Sequence, residues 1–363
     1  MSLRFHWRLL LGGERSGETR ATMYSRVETG LPDLEAQINF CRLAEESGID
    51  SLLIDFGASK PDPILLATVL GRAAKKIGFI IAYRSGLLSP TTFVQQLNTL
   101  SGFINGRFSL NIVAGYSSRE QQYYGDFLQH DERYERTDEF LAICRAFWKR
   151  DAEVNFAGKY YRIEGGRLNT PFLSPDRAFP EILIAGSSPH AQSLALKHGT
   201  CWVRLADAPE RLRDDALNLS RQGIDVGLRM SIITRRTRQE ALGAAYALVK
   251  GSRGRAHERE FVRASDSKSI KATYKLADEE WLTPYLWTGA VRTTGAPAIA
   301  LVGTPEEIAS AIMEYKAIGV SQFIFSGWSK LDEMMRFGRD VLPLVRDKER
   351  AFDDQKKADD KSV

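Results

Sequence analysis

Apolar runs of strand length alternate along the chain with stretches whose apolar positions recur every three to four residues. Strand-like runs fall at 4–11, 51–56, 77–83, 108–114, 181–185, 201–205, 226–233 and 321–325. Helical periodicity fills 33–47, 63–75, 90–105, 133–149, 189–198, 209–222, 238–250 and 305–318, with a last helix at about 331–345. Strand side chains alternate between faces while helical ones return every 3.6 residues, so the two periods separate the element types. Eight strands, each followed by a helix, predict an α/β chain folded as a single-domain (β/α)8 TIM barrel over residues 1–346.

Punctuation agrees with this order. Pro90, Pro189, Pro209 and Pro305 stand where a helix's first turn begins, and Gly48, Gly199 and Gly319 just past helix ends. The run at 201–205 carries Arg204 and reads least well as a strand. Two stretches exceed a minimal barrel. Residues 154–163, with Gly158 at the turn, predict a β-hairpin before strand five. Residues 251–294 form a polar, Gly/Arg/Ser-rich insertion before strand eight, expected to be an irregular lid at the barrel mouth. The tail at 347–363 is charged throughout and is expected to fray into disorder.

Composition narrows the class. With 363 residues, 43% hydrophobic and 26% charged, the chain can bury a sizeable core. The net charge is +4, from 50 basic and 46 acidic residues, which gives no basic surface for nucleic acid. No apolar run approaches the ~20 residues of a membrane span, and the N-terminus enters a strand-like run with no room for a signal peptide. We therefore expect a cytoplasmic protein with no membrane partner. Cys41, Cys144 and Cys201 lie far apart without zinc or CxxC spacing, and each is expected as a small buried apolar group. No metal site is expected.

Candidate chemistry sits at strand ends. There is no Walker loop and no GxGxxG after a strand. The histidines His6, His130, His190, His198 and His257 are scattered and read as packing or surface groups. The run 182–188, Ile-Leu-Ile-Ala-Gly-Ser-Ser, feeds a helix opened by Pro189. Free N–H groups, two hydroxyls and the positive end of a helix dipole would suit a phosphate, although Ser188 could equally be a plain cap. Asn111 at the end of strand four begins a second polar cluster, and Tyr134 opens the next helix within reach of the same anion. Arg229 closes an apolar run, where an arginine is costly to bury without a purpose.

These residues carry a resemblance. The opening Met-Ser-Leu with Trp7, the stretches 108–115, 130–135 (His-Asp-Glu-Arg-Tyr-Glu), 155–159, 185–188, 227–229, 286–289, 300–303 and 325–327 are similar, in order, to the alkanesulfonate monooxygenases of the bacterial luciferase-like flavoprotein superfamily. The resemblance implies a barrel whose insertion closes over the site. It also implies reduced FMN (FMNH2) delivered by a separate NAD(P)H-dependent flavin reductase, molecular oxygen as co-substrate, and a homodimer or homotetramer. It places Asn111 at the isoalloxazine edge, with Tyr134 and the Gly186-Ser187-Ser188 turn on the FMN phosphate. Arg229 and Arg292 match the family's active-site arginines.

The departures concern the substrate side. Ser231 stands where those enzymes carry a histidine, Gly12 replaces another, and Lys60 replaces a cysteine. Trp328, Ser329 and Lys330 stand where the family has Tyr-Pro-His, and His6 and Arg8 replace phenylalanines on one face of strand one. Arg8, Arg229, Ser231, Arg292, Trp328 and Lys330 are thus the catalytic candidates. The expected activity is a reduced-FMN-dependent, two-component monooxygenase acting on a small or medium organic substrate, such as a sulfonate. Two alternatives share the barrel: a deazaflavin-dependent oxidoreductase, and a flavin-binding protein without catalysis.

Overall fold

The structure, a computed structural model, describes residues 2–10, 33–58, 60–115, 117–149, 153–250, 262, 265 and 267–361. Its strands in chain order are β1 (Arg4–Arg8), β2 (Ser51–Ile54), β3 (Gly78–Tyr83), β4 (Phe108–Ile112), β5 (Val154–Ala157), β6 (Arg162–Gly166) and β7 (Glu181–Ala185). They continue as β8 (Cys201–Leu205), β9 (Asp225–Arg229), β10 (Ser231–Thr234), β11 (Leu286–Trp287), β12 (Ala300–Gly303) and β13 (Val320–Phe325). Eight of these close into a parallel barrel in the order β1-β13-β9-β8-β7-β4-β3-β2. All eight predicted barrel strands are present, and the hairpin at 154–163 appears as the pair β5–β6.

Alternation along each strand divides the core in two. Leu52 and Ile54 join the large outer cluster beneath the helices, whereas Leu53 joins Ile80, Leu183, Val203 and Ile324 in a separate cluster inside the barrel. In β1 the outward Phe5 and Trp7 stack on Phe323, Phe325 and Phe337, with ring centroids 5.1–6.2 Å apart. The other face, with Arg4, His6 and Arg8, turns inward. The three cysteines are free and buried, as expected.

The lower interior is polar. Arg4 donates to Glu181 and to Asp225, each at 2.7 Å, and Gln322 Nε2 donates to Asp225 at 2.8 Å. Gln322 Oε1 is thereby left to accept from His6 Nε2 at 3.1 Å. His6 thus belongs to this plug and not to the cavity above it. Burial, reinforced by Arg4, pushes its pKa down to about 3. A histidine held neutral in the folded state destabilises it in acid. Below pH ~6.5 the unfolded chain takes up a proton that the native state refuses until about pH 3. The cost reaches about 2 kcal/mol by pH 5, at ~1.4 kcal/mol per pH unit. We expect His6→Gln to narrow the gap in urea-unfolding free energy between pH 7 and pH 5 by that amount. An identical gap in both proteins would contradict it.

Three sequence expectations need correction. The apolar run 226–233 is not one strand: β9 ends at Arg229, and β10 leaves the barrel to pair with β12 in a three-stranded sheet with β11. An unbroken apolar run carries no mark of a change of sheet, and four residues of β12 between Pro297 and Pro305 were too short to register. Within the insertion, 251–261, 263, 264 and 266 lie outside the described residues, but 267–294 contain regular elements joined by turns. They form the helix Lys268–Leu276, β11 and the short helix Val291–Thr294, anchored by Trp287 at 0% exposure. The charged tail is a helix, Leu342–Lys361. Its Glu349 is buried and accepts from Leu3 N (2.6 Å), Lys316 Nζ (2.9 Å) and Arg346 Nη1 (2.7 Å), so pairing holds what composition alone would release.

Candidate active site

One cavity of about 1260 Å³ opens at the C-terminal ends of the barrel strands and is roofed by the helix Lys268–Leu276 and residues 292–298. It brings together the catalytic candidates Arg8, Arg229, Ser231, Arg292, Trp328 and Lys330 with the cofactor candidates Asn111, Tyr134, Gly186, Ser187 and Ser188. Gly12 lies outside the described residues.

One wall suits an anionic head group. Ser188 caps the helix Pro189–His198 by accepting from Ala191 N at 3.2 Å, so the plain-cap reading holds while the residue also lines the cavity. Gly186 has φ +137°, and a Cβ there would stand 3.1 Å from Tyr134 Oη and 3.0 Å from Ala191 Cβ. The missing side chain lets the tyrosine hydroxyl come down onto the turn. His130 flanks Tyr134, with ring centroids 5.1 Å apart, and also lines the cavity; His190 stacks on Tyr134 as well, at 5.7 Å. Sequence reasoning dismissed His130, although its placement one helical turn before Tyr134 was a usable signal.

A second wall is cationic. Asp55, directly after β2 and 6% exposed, accepts from Arg8 Nε at 2.5 Å and Arg229 Nη2 at 3.2 Å, with Lys60 Nζ at 3.5 Å. Burial alone would raise the Asp55 pKa, but Arg8, Lys60 and Arg229 outweigh it and hold the carboxyl well below its usual range. Lys60 is pulled down from its ordinary value by burial, with Arg8 and Arg229 adding to the effect and Asp55 opposing it. Lys60 is therefore a cavity group, not the solvated lysine its sequence context allows. Asp55 was missed in the sequence, although it closes an apolar strand just as Arg229 does.

The remaining candidates frame the mouth. Ser231 is buried and its hydroxyl donates to Pro297 O at 3.1 Å, tying β10 to the roof. Arg292 pairs with Asp278 within the insertion. Lys330, 4% exposed, begins the helix Lys330–Arg336, which Ser329 caps. Beneath it Glu333, fully buried, accepts from Arg235 Nη1 (2.5 Å), Arg336 Nη1 (2.9 Å) and Thr234 N (3.1 Å), locking β10 to the loop that carries Trp328.

The residues also fit a flavin ring. Asn111 is 5% exposed, lines the cavity, and its Oδ1 has no hydrogen-bond partner among the described residues. A buried amide on one strand end and a hydroxyl-rich turn on another, lining the same cavity, are groups that could hold a ring and a phosphate-bearing side chain.

A closed parallel barrel with its chemistry at the C-terminal strand ends defines a TIM-barrel enzyme. The sequence matches the luciferase-like monooxygenase family over residues 9–322, and the chain belongs to that family. It is accordingly an oxidoreductase of the luciferase-like monooxygenase class, whose members typically work with a separate flavin reductase. Among solved structures it is similar to EDTA monooxygenase from Chelativorans sp. BNC1, with a TM-score of 0.75, 20% identity, and coverage of 96% of this chain and 94% of that one. It is similar also to DmoA from Hyphomicrobium sulfonivorans (TM-score 0.73, 19% identity, 96% and 88% covered). A third is a riboflavin lyase solved with modified FMN and riboflavin (TM-score 0.70, 18% identity, 96% and 92% covered). At these identities the likeness establishes the fold.

Proposed function

We propose that this protein is a reduced-FMN-dependent monooxygenase of the cytoplasm that receives its flavin from a separate NAD(P)H-dependent reductase. Its substrate is a small or medium organic molecule carrying an acidic group, such as a sulfonate. The observation that carries the reading is the pairing, in one cavity, of the Gly186–Ser188 turn with Tyr134 and the basic wall of Arg8, Lys60 and Arg229. In this reading Ser187, Ser188 and Tyr134 hold the FMN phosphate and Asn111 meets the ring edge. Bound reduced FMN supplies oxygen activation. The protein's own groups do the rest: the arginines orient an anion without risk of deprotonation, and the roof at 267–298 excludes water. Arg292 on that roof fits a lid that closes over the loaded site. The related proteins named above support the class of chemistry, not the substrate.

The test is direct. The protein is expected to bind FMN by fluorescence titration, and to consume oxygen when reduced FMN, a generic reductase and an acidic organic substrate are supplied together. A hydrogen bond to a charged oxygen contributes roughly 1.5–3 kcal/mol, so Ser187→Ala should weaken FMN about ten-fold or more. Unchanged affinity would place the phosphate elsewhere. Preference for F420 over FMN, with hydride transfer and no oxygen uptake, would replace the monooxygenase reading.

A further inference from the structure

Arg204, which made 201–205 read least well as a strand, stands where two cavities meet. β7 and β8 pair with Ala185 opposite Val203, and Gly186 N donates to Val203 O at 2.9 Å, so Arg204 comes next to the Gly186–Ser188 turn. Cys201 and Val203 belong to the cluster inside the barrel, whereas Trp202 joins the outer one. Alternation therefore turns Arg204 outward, away from the basic wall on the inner face. Trp202 Nε1 donates to Gly186 O at 2.7 Å, and the Arg204 guanidinium carbon lies 5.6 Å from the centre of that same ring.

The second cavity, of about 440 Å³, lies between the start of the helix Pro209–Arg221 and the insertion helix Lys268–Leu276. It shares Ser187, Arg204, Leu205 and Ser269 with the main cavity, so the turn borders both. Spaces of about 300–1,000 Å³ hold drug-sized molecules. Arg204 is only partly offset there. Its side chain is 16% exposed, its Nε donates to Leu205 O at 3.3 Å, and its Nη atoms stand 3.9 Å from Asp207 and 3.8 Å from Asp215. Among the described residues no carboxylate reaches hydrogen-bond distance of it. A recessed guanidinium with open donors suits a phosphate.

A group esterified to a phosphate at Ser187 has this side chamber as its outlet. We propose that the chamber is a nucleotide subsite: it takes the adenylate half of flavin adenine dinucleotide (FAD), with the second phosphate on Arg204, so that the protein binds FAD as well as FMN. The inference rests on the flavin reading above, with the first phosphate at Ser187. Leu205, Ala272 and Leu276 offer an apolar surface to the adenine ring, and the carboxylates of Asp207 and Glu279 offer acceptors for its amine. Arg211 pairs with Glu279 at 3.2 Å, which leaves Arg204 as the recessed cation for the phosphate. The same carboxylates disfavour a cofactor with a polyacidic tail, because like charges repel.

The experiment compares dissociation constants for oxidised FMN and oxidised FAD by quenching of protein fluorescence. The wild type is expected to bind FAD within about three-fold of FMN, the added contacts offsetting the cost of ordering the adenylate. Ala272 is exposed on the insertion helix and lines the side chamber but not the main cavity. Ala272→Phe should therefore weaken FAD about ten-fold while leaving FMN within about two-fold. Arg204→Gln should likewise act mainly on FAD, and Arg204→Lys, which keeps the charge, should recover part of the loss. The Ala272→Phe measurement stands even if Arg204→Gln does not fold. FAD binding more than about ten-fold weaker than FMN in the wild type, or a ratio unchanged in Ala272→Phe, overturns the subsite and leaves the flavin site intact. Failure of the wild type to bind either flavin overturns the reading beneath it.

Discussion

Asparagine in place of Asp55 is expected to lower the free energy of unfolding at pH 7 by about 3–5 kcal/mol, although it changes one atom and little volume. Asp55 is 6% exposed and is the carboxylate that Arg8, Lys60 and Arg229 share. Breaking a buried pair from one side takes from the three cations the carboxylate they share, and the loss falls on charges that are mostly buried. Lys60, already pulled down from its ordinary value, can relieve part of the strain by releasing its proton; the arginines cannot. The contribution also has a definite pH window. The folded pKa of Asp55 lies well below the unfolded one, so its stabilisation is complete above the unfolded value near pH 4 and is lost as the pH falls beneath it. Urea unfolding of the wild type and Asp55→Asn at pH 7 checks the magnitude. Adding Arg8→Phe to the variant should recover part of the loss, because it removes a cation along with its anion. A loss below about 1 kcal/mol would show that Asp55 is solvated in practice and does not organise the basic wall.

The barrel was legible in the sequence because each of its signals is local. Strand runs and helical periods need only neighbouring residues, and the helices Pro63–Ala73, Pro90–Ile104, Pro189–His198, Pro209–Arg221 and Pro305–Ala317 each begin at the proline that opens them. What escaped was pairing between distant residues. Glu349 holds the last helix by reaching Leu3 and Lys316, and nothing in a charged tail announces such partners. The same limit applied to the site. Arg229 stood out alone as an arginine in an apolar run, but its partner Asp55 lies 174 residues away in sequence. The Gly186–Ser188 turn was visible because glycine, two serines and a helix start are adjacent in the chain. The second half of its geometry, the approach of Tyr134 Oη to Gly186, needed the fold.

Plain straight-chain alkanesulfonates are expected to be poor substrates, with sulfite release well below the ~1 s⁻¹ expected of a true substrate at the low end of the usual enzyme range. The argument comes from the substrate side of the cavity. Where the alkanesulfonate enzymes that the sequence resembles carry a titratable histidine, Ser231 is buried with its hydroxyl committed to Pro297 O at 3.1 Å. Serine does not exchange protons near pH 7, and this one is already donating. The proton-transfer step that such a histidine could serve must therefore fall to another group or to solvent. Lys60 and Arg8 line the same wall in place of a cysteine and a phenylalanine, and Lys330 in place of another histidine. Cations in a recessed wall favour a ligand that brings negative charge to them, and a long alkyl chain laid against them would take away water that now reaches their charged ends. An organic acid with more, or differently placed, anionic groups fits better. The measurement is sulfite release from alkanesulfonates of increasing length, alongside oxygen uptake with compounds bearing two or more acid groups, all with reduced FMN from a generic reductase. Turnover near 1 s⁻¹ on any unsubstituted alkanesulfonate would refute the expectation, and would mean that the basic wall accepts a single sulfonate despite the lost histidines.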